Sequence, residues 1–167
     1  VLAKEKPDYF IFSAGGNDLQ QGLANGHYIY VYDPARPLDQ YLTPEGNAAM
    51  AQIESGYQTL FNELSQFPLL KVICYGYDYP RPLVKGGTYI GRYLREKGIP
   101  DNLMAPIMAS VIDQLNVVIK RVTQSANFRY LDCRHMTDPY TWFDDMHPDR
   151  DGFLALAVRF EEEMNLL

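Results

Sequence analysis

The sequence has 167 residues, of which 47% are hydrophobic, and a formal net charge of -6. This length can form one well-packed domain, and no Pro/Ser-rich linker or block of charge divides the chain, so we predict a single domain over residues 1–167. The negative charge argues against nucleic acid or an anionic membrane as a partner, because neither phosphates nor acidic lipids would attract such a surface. No apolar run approaches the ~20 residues of a membrane helix, so we expect no membrane span.

Three short runs rich in aromatic and β-branched residues predict buried strands. They are Tyr9 to Ala14, Leu70 to Tyr75 and Phe128 to Cys133. Segments with a helical repeat lie between and after these runs. Such alternation predicts a parallel sheet with right-handed crossovers and helices on both faces, which is an α/β fold with three layers.

Three amphipathic helices are predicted from apolar stripes. The first follows Thr43, a suitable N-cap, with Pro44 at the first helical position. The second is predicted over Pro106 to Gln124, and the third follows Asp149. Their stripes consist of Met50, Ile53, Tyr57, Leu60, Phe61 and Leu64 in the first; Ile107, Val111, Leu115, Val118 and Val122 in the second; Phe153, Leu156, Phe160, Met164 and Leu167 in the third.

Two stretches, residues 19–42 and 77–104, do not fit this alternation. Both follow the carboxyl end of a predicted strand, which is the edge where open α/β sheets bind ligands. Long loops at that edge are typical of functional walls or lids. For Tyr28 and Tyr30 in the first stretch, a short added strand or hairpin arm is as good an interpretation as a substrate wall.

Two cysteines, Cys74 and Cys133, lie in apolar β-like runs. This setting favours small buried side chains over a disulfide framework or a metal site, while a disulfide between neighbouring strands stays open. The chain opens at Val1 without an initiator Met, so the missing signal-peptide pattern says little. The compartment is therefore open between cytoplasmic and periplasmic or secreted.

The stretch "WFDDMHPDRDGF", residues 142–153, places Asp144 and His147 three apart just before the last predicted helix. A turn there can bring the carboxylate against one imidazole nitrogen and leave the other nitrogen facing outward. This is the orienter-and-base half of a nucleophilic triad. We expect Asp145 to point away from the His.

Two other interpretations of this stretch stay open. The simpler one is an N-terminal helix cap beside a surface histidine. The other is a metal site, since the Asp residues crowd together. However, the spacing does not match a Ca²⁺ loop, and no second His or Cys lies nearby to complete a zinc or iron site, so we expect no metal.

A second unusual stretch, "FSAGGNDLQQ", ends an apolar strand at two glycines and then presents Asn17 beside Asp18. Gly15-Gly16-Asn17-Asp18 and, later, Asp144 to His147 together resemble two blocks of the SGNH (GDSL-type) hydrolases. The first is similar to that family's Gly-x-Asn-Asp block and the second to its Asp-x-x-His block. The resemblance covers essentially the whole chain, from the third strand of that flavodoxin-like fold to its last helix.

The resemblance implies an esterase or lipase that acts through an acyl-enzyme. Asn17 would donate its amide to the oxyanion hole, His147 would be the general base, and Asp144 would orient it. A small-molecule ester substrate is implied, and no cofactor. Aromatic residues are expected to bind that substrate; they are Tyr28, Tyr30, Tyr79 and Trp142.

Three neighbours of Asn17 support it in this interpretation. Gly15 and Gly16 would allow the backbone bend that aims the amide. Asp18 would brace the loop, and a direct catalytic role for it is not implied.

One part of the family pattern is missing from these residues. The family's nucleophilic Ser lies in a Gly-Asp-Ser block after the first strand, and a second oxyanion donor is a Gly after the second strand; neither block occurs here. The serines of the chain are Ser13, Ser55, Ser65, Ser110 and Ser125. None has the required setting, because even Ser13, the nearest to Asn17, lies within a strand rather than at a strand-to-helix elbow. We therefore expect the chain to begin partway through the domain, with the nucleophile outside it.

A missing first strand has a physical consequence. The predicted strand at Tyr9 to Ala14 would expose an unpaired apolar edge. We expect the missing part to be another chain, to be replaced by a dimer contact, or to be disordered.

Two rival functions remain at this stage. A non-catalytic binding or interaction module that keeps the fold is favoured by the missing Ser. A metal-assisted phosphoesterase built on the acidic cluster is the third candidate, and activity abolished by a chelator would be its sign.

Overall fold

The computed structural model describes residues 2–123 and 128–166. Its strands are β1 (Tyr9–Phe12), β2 (Lys71–Tyr75) and β3 (Phe128–Leu131). Its helices are α1 (Leu2–Glu5), α2 (Gly16–Ala24), α3 (Pro44–Leu64), α4 (Gly91–Glu96), α5 (Asp101–Val122) and α6 (Arg150–Leu166), with 3₁₀ turns at Leu38–Gln40 and Val84–Gly86. All three predicted strands are confirmed, each one or two residues shorter than predicted.

The strands form a parallel sheet in the order β1-β2-β3. In the middle strand, Val72 pairs with Phe10 on one side and with Phe128 on the other. The connections through α3 and α5 run in the same direction across the sheet, so both helices pack on the same face. On the opposite face α6 packs against Ile73 and Leu131. The fold is therefore α/β with helices on both faces, as predicted.

The first long helix, α3, begins where its cap predicts. Thr43 has an extended backbone, and its Oγ1 accepts a hydrogen bond from the N–H of Gly46 at 3.1 Å. Pro44 follows at the first helical position, where a missing N–H costs nothing. The predicted stripe is buried apart from Leu60, which is half-buried.

The second long helix, α5, begins at Asp101, five residues before the predicted start at Pro106. The proline lies inside the helix and removes one backbone hydrogen bond without ending it, since Met104 and Ile107 on either side are fully buried. The predicted last residue, Gln124, lies outside the described residues.

By length and composition α5 could also cross a membrane. Its apolar stripe, however, is buried against the sheet and α3 in the main hydrophobic core. This burial identifies α5 as the central core helix.

The third predicted helix is α6. Leu156, Phe160 and Met164 of its stripe contact the core on the second face of the sheet. Phe153 is 54% exposed, and Leu167 lies outside the described residues.

The two stretches predicted as long loops contain short helices. Residues 19–42 begin inside α2, and residues 77–104 contain α4 and the start of α5. The prediction of loops was wrong there, because α2 buries only Leu19 and Leu23 as large apolar residues and so lacks a long stripe.

The region after α2 forms a hairpin-like arm. Ile29 forms an antiparallel bridge with Leu42, and the N–H of Tyr30 donates to the carbonyl of Tyr41 at 3.0 Å. This geometry agrees with the hairpin-arm interpretation of the tyrosine alternation.

Cys74 and Cys133 are both buried free thiols. Burial raises the pKa of each thiol to about 12. Both therefore behave as small core side chains, as the sequence indicates.

Candidate active site

A tight turn before α6 brings Asp144 and His147 together. Nδ1 of His147 lies 2.9 and 3.0 Å from the two carboxylate oxygens of Asp144. The N–H groups of Met146 and His147 also donate to Oδ1 of Asp144, at 2.8 and 2.7 Å. A bridge between Trp142 and Pro148 closes the turn. The carboxylate is thus fixed against the imidazole, as the spacing predicts.

The electrostatics of this pair favour one arrangement of the protons. Burial opposes ionisation of Asp144, but the hydrogen bonds from the His147 ring and from the backbone N–H groups outweigh it and hold the pKa of the carboxyl below its usual value. Because the ionised carboxylate of Asp144 faces Nδ1 of His147, the ring proton is favoured on Nδ1. The other ring nitrogen, Nε2, is then free to accept a hydrogen bond or a proton. Since the His147 side chain is 47% exposed, it is accessible to a ligand.

Asn17 lies in the first turn of α2, at the carboxyl end of β1. Its exposed amide makes no hydrogen bond with the described residues, and it lines the same cavity as His147. The two predicted site residues, which are distant in sequence, therefore share one small cavity of about 170 Å³. An amide and an imidazole on one cavity can act on the same bound group.

The two glycines before Asn17 are required by the geometry. Gly15 has a φ of 94°, a left-handed conformation that turns the chain from β1 into α2. A Cβ at Gly16 would lie 2.7 Å from the ring of Tyr77. Asp18 is exposed and lies on the other side of α2, where it lines a wider cavity of about 550 Å³ with Gly15.

The walls of the smaller cavity, which we call the His147 cavity, are mainly apolar. They come from α2, from α5 and from residues 77–78, 80, 90 and 146–147. The apolar lining includes Leu19, Leu23, Ile90, Met108, Val111 and Ile112. Such a lining, which also includes an amide and an imidazole, suits a small ligand that has both a hydrocarbon part and a polar group.

A hydrogen-bonded network that the sequence did not predict holds the beginning of α2. Asn116, buried in α5, accepts from the N–H and donates to the carbonyl of Tyr77, both at 2.8 Å. The hydroxyl of Tyr77 in turn accepts from the N–H of Gly16 at 3.1 Å. The sequence signal for this network is Asn116, a polar residue within the apolar stripe of α5.

Two of the predicted substrate-binding aromatics lie in the hairpin-like arm. Tyr28 packs over Gly22 and lines the wider cavity. The ring of Tyr30 lies 3.9 Å below the guanidinium of Arg36. Neither lines the His147 cavity, so a role in substrate binding stays a prediction for both.

The other two aromatics have hydrogen-bonded partners of their own. The hydroxyl of Tyr79 donates to Asp113 at 2.8 Å, and the buried indole of Trp142 donates to Thr137 at 3.1 Å. Both lie outside the lining of the His147 cavity. Their role as substrate contacts also stays a prediction.

The acidic residues after Asp144 have separate partners. Asp149 accepts from the N–H groups of Asp151 and Gly152, at 2.9 and 3.0 Å, and so caps α6. Asp145 turns away from His147 and accepts from backbone N–H groups of another segment. In the part of the chain that the structure describes, no three His, Cys, Asp or Glu side chains are grouped to hold a metal ion.

Comparisons with known proteins place the chain only loosely. No protein-family model matches the sequence, and a search of curated proteins finds no match. Among solved structures, an extracellular lipase from Streptomyces rimosus matches with a TM-score of 0.43 and 19% identity, over 90% of this chain and 68% of the lipase. A likeness at this level assigns neither a family nor an activity.

Proposed function

We propose that this chain carries part of the active site of an ester hydrolase that works through an acyl-enzyme. The observation that carries the proposal is the pairing of His147 with Asp144 on a cavity that Asn17 also lines. An oriented imidazole and an amide donor are two of the three parts that acyl transfer from an ester needs. The third part is a nucleophile.

We propose that this nucleophile is a Ser outside these 167 residues. No Ser is among the described residues that line the His147 cavity. Ser13, the nearest to Asn17 in sequence, directly follows β1 and precedes the Gly15 turn. The prediction that Ser13 lies within the strand was wrong, because β1 ends at Phe12. The hydroxyl oxygen of Ser13 is nevertheless buried, whereas a nucleophile must be exposed to its substrate.

The proposed reaction uses His147 twice. The Ser hydroxyl attacks the ester carbonyl carbon while Nε2 of His147 takes its proton, and Asp144 stabilises the imidazolium. The bond to the alcohol oxygen then breaks, and the alcohol leaves with that proton. A water molecule, deprotonated by His147, attacks the acyl-enzyme; the acid leaves and Ser regains its proton.

Asn17 would stabilise the negative oxygen of each tetrahedral intermediate. Its amide makes no hydrogen bond with the described residues and stands at the start of a helix, where backbone N–H groups also favour negative charge. One such donor is worth about 3 kcal/mol in the transition state.

We also propose that these residues are the later part of one domain whose first two strands lie outside them. Two features support this. β1 is an edge strand, and its Ile11 is 42% exposed. An open apolar groove of about 630 Å³ runs from Ile11 and Tyr75 to Phe153 and Phe160. A further strand and helix would cover both features.

The test compares two histidine variants of the full-length gene product that carries this chain. We expect hydrolysis of short-chain aryl esters, abolished by His147→Ala and retained by His27→Ala, because His27 lies on the wider cavity. Equal hydrolysis by the wild type and His147→Ala would rule out this active site. A full-length protein without any ester hydrolysis would also contradict the proposal.

The second candidate is a binding module that keeps this fold without catalysis. The observation that favours it is the lack of a Ser among the described residues of the His147 cavity. The full-length sequence separates the two candidates. A Gly-Asp-Ser block ahead of Tyr9 supports the hydrolase, and its absence there supports the binding module.

A further inference from the structure

Asp145, next to Asp144, carries a completely buried carboxylate. Its Oδ2 accepts hydrogen bonds from the N–H groups of Ile90 at 2.6 Å, Gly91 at 3.0 Å and Tyr89 at 3.1 Å. Oδ1 accepts from Tyr89 as well, at 3.0 Å. A single side chain therefore fixes three consecutive backbone groups that lie more than 50 residues away in sequence.

The surroundings of this carboxylate show that its hydrogen bonds hold residues 89–91 in place. A buried charge is stable only when hydrogen-bonded donors replace the water it has lost, and three N–H groups at the start of α4 do so here. The same segment is also packed closely against Pro82, since a Cβ at Gly91 would lie 1.9 Å from the carbonyl oxygen of that proline. The segment 89–91 is thus held from two sides.

Two side chains of this segment face the proposed catalytic histidine and its cavity. Ile90 is buried and forms part of the apolar wall of the His147 cavity. The ring of Tyr89 meets the His147 ring edge-on, with 5.5 Å between centroids and an angle of 87°. Asp145 consequently links the turn that carries His147 to the segment that supplies Ile90 to the cavity wall.

We propose that Asp145 is a positioning residue that sets the acyl-chain length accepted by this site, because it fixes Ile90 in the cavity wall. The inference rests on the proposed ester hydrolysis. The acyl group is the part assigned to the cavity, since its carbonyl oxygen belongs at Asn17 and its hydrocarbon chain then meets the apolar wall. A cavity of about 170 Å³ suits short chains.

The experiment measures kcat/KM of the full-length protein for acetyl, butyryl and octanoyl p-nitrophenyl esters. Asp145→Asn keeps the size of the side chain but removes the charge and places an amide against the N–H groups. We expect the ratio of octanoyl to acetyl kcat/KM to rise by about tenfold or more, because each methylene that a pocket admits changes binding by that order. Ile90→Ala is expected to shift the same ratio in the same direction.

The neighbouring Asp144→Asn is the matched control. It removes the same charge one residue away, so it should lower kcat for all three esters alike and leave their ratio unchanged. Esters of one acid with different alcohols give the second control, and their relative rates should not change in Asp145→Asn. A shift that follows the alcohol would overturn the assignment of the cavity to the acyl group.

Amide hydrogen exchange gives a readout that does not depend on catalysis. In Asp145→Asn the amides of residues 89–91 should lose protection, whereas in Asp144→Asn they should keep it. If the wild type hydrolyses esters but Asp145→Asn leaves the chain-length ratio unchanged, the inference is wrong and the proposed function stands. If the wild type hydrolyses no ester, the proposed function itself fails. Should Asp145→Asn not fold, Asp145→Glu takes its place: it keeps the charge but displaces the carboxylate from the N–H groups of residues 89–91, so the same ratio should rise, and an unchanged ratio overturns the inference.

Discussion

Two adjacent carboxylates in this chain have opposite surroundings. Asp144 faces His147 and two N–H groups of its own turn, whereas Asp145 faces the segment 89–91. A single step along the chain therefore separates a carboxylate of the candidate site from one that anchors another segment. A substitution at Asp144 should therefore affect His147 directly, whereas a substitution at Asp145 should affect the position of residues 89–91.

The lowered pKa of Asp144 predicts a pH dependence of stability. Its hydrogen bonds to the His147 ring and to backbone N–H groups, which outweigh burial, favour the ionised form in the folded state, so the unfolded chain binds a proton at higher pH than the folded one does. The stabilisation is fully present above the unfolded pKa of about 3.9 and is lost as the pH falls through the lower folded pKa. We expect the free energy of unfolding to decline below pH ~4, as measured by urea denaturation.

The control for this prediction is Asp144→Asn. The variant should be less stable at pH 7, because it weakens the same hydrogen bonds, but its stability should fall less between pH 4 and 2 than that of the wild type. Parallel curves for the two proteins would show that Asp144 contributes nothing to the acid dependence.

A second prediction at this scale concerns Asn17. Replacement by alanine in the full-length protein should lower kcat by about 10²–10³ with little change in KM, because an oxyanion donor acts mainly in the transition state. Asn25→Ala, at the exposed other end of the same helix, is the control and should leave kcat unchanged. Steady-state kinetics with an aryl ester checks both, and an effect on KM alone would contradict the oxyanion role.

At the level of elements, α3 contains two glycines with opposite surroundings. A Cβ at Gly46 would lie 2.7 Å from the carbonyl oxygen of Tyr28, whereas a Cβ at Gly56 would meet nothing within 4 Å. We expect Gly56→Ala to stabilise the protein by up to about 1 kcal/mol through helix propensity. Gly46→Ala should destabilise it by about 1–3 kcal/mol, because the backbone of the hairpin-like arm must move.

Thermal denaturation of the two variants is the measurement, and each variant serves as the control for the other. Both substitutions make the same chemical change on one helix, so propensity alone predicts the same sign for both. Equal stabilisation by both would mean that the contact between α3 and the arm is looser than the structure has it.

The long helices were predictable and the short helices were not, for a physical reason. α3 and α5 bury continuous stripes over five or more turns, and that period is visible in the sequence. α2 and α4 are too short for such a stripe and depend also on hydrogen bonds to distant segments, such as the one from Gly16 to Tyr77. Contacts of this kind join residues far apart in sequence and leave no local period.

The same distinction applies to the candidate site. The pairing of Asp144 with His147 depends on a spacing of three residues and could be predicted. The link from Asp145 to residues 89–91 spans more than 50 residues, and nothing in the sequence indicates it. The predicted wall over residues 77–104 includes Ile90, but the contact that fixes this residue was missed for this reason.

Across the whole molecule, the two faces of the sheet are unequally covered. The face with α3 and α5 holds the main core, and most of the apolar residues of α5 are buried. On the other face α6 buries only Gly152 fully and leaves large apolar side chains exposed. They are Phe153, Leu154, Val158 and Leu166. The stability of the fold is therefore concentrated on one side.

This asymmetry predicts different rates of amide hydrogen exchange for two helices of similar length. Central amides of α6 should exchange about tenfold or more faster than those of α5, because local opening of α6 exposes little apolar surface that is not already exposed. Mass spectrometry of the 167-residue chain measures the difference, and equal protection would show that α6 is held more firmly than its burial indicates. In a longer gene product, the proposed strand and helix over β1 and the apolar groove should raise the protection of α6 toward that of α5. If α6 stays equally unprotected there, the proposed additional strands do not cover this face.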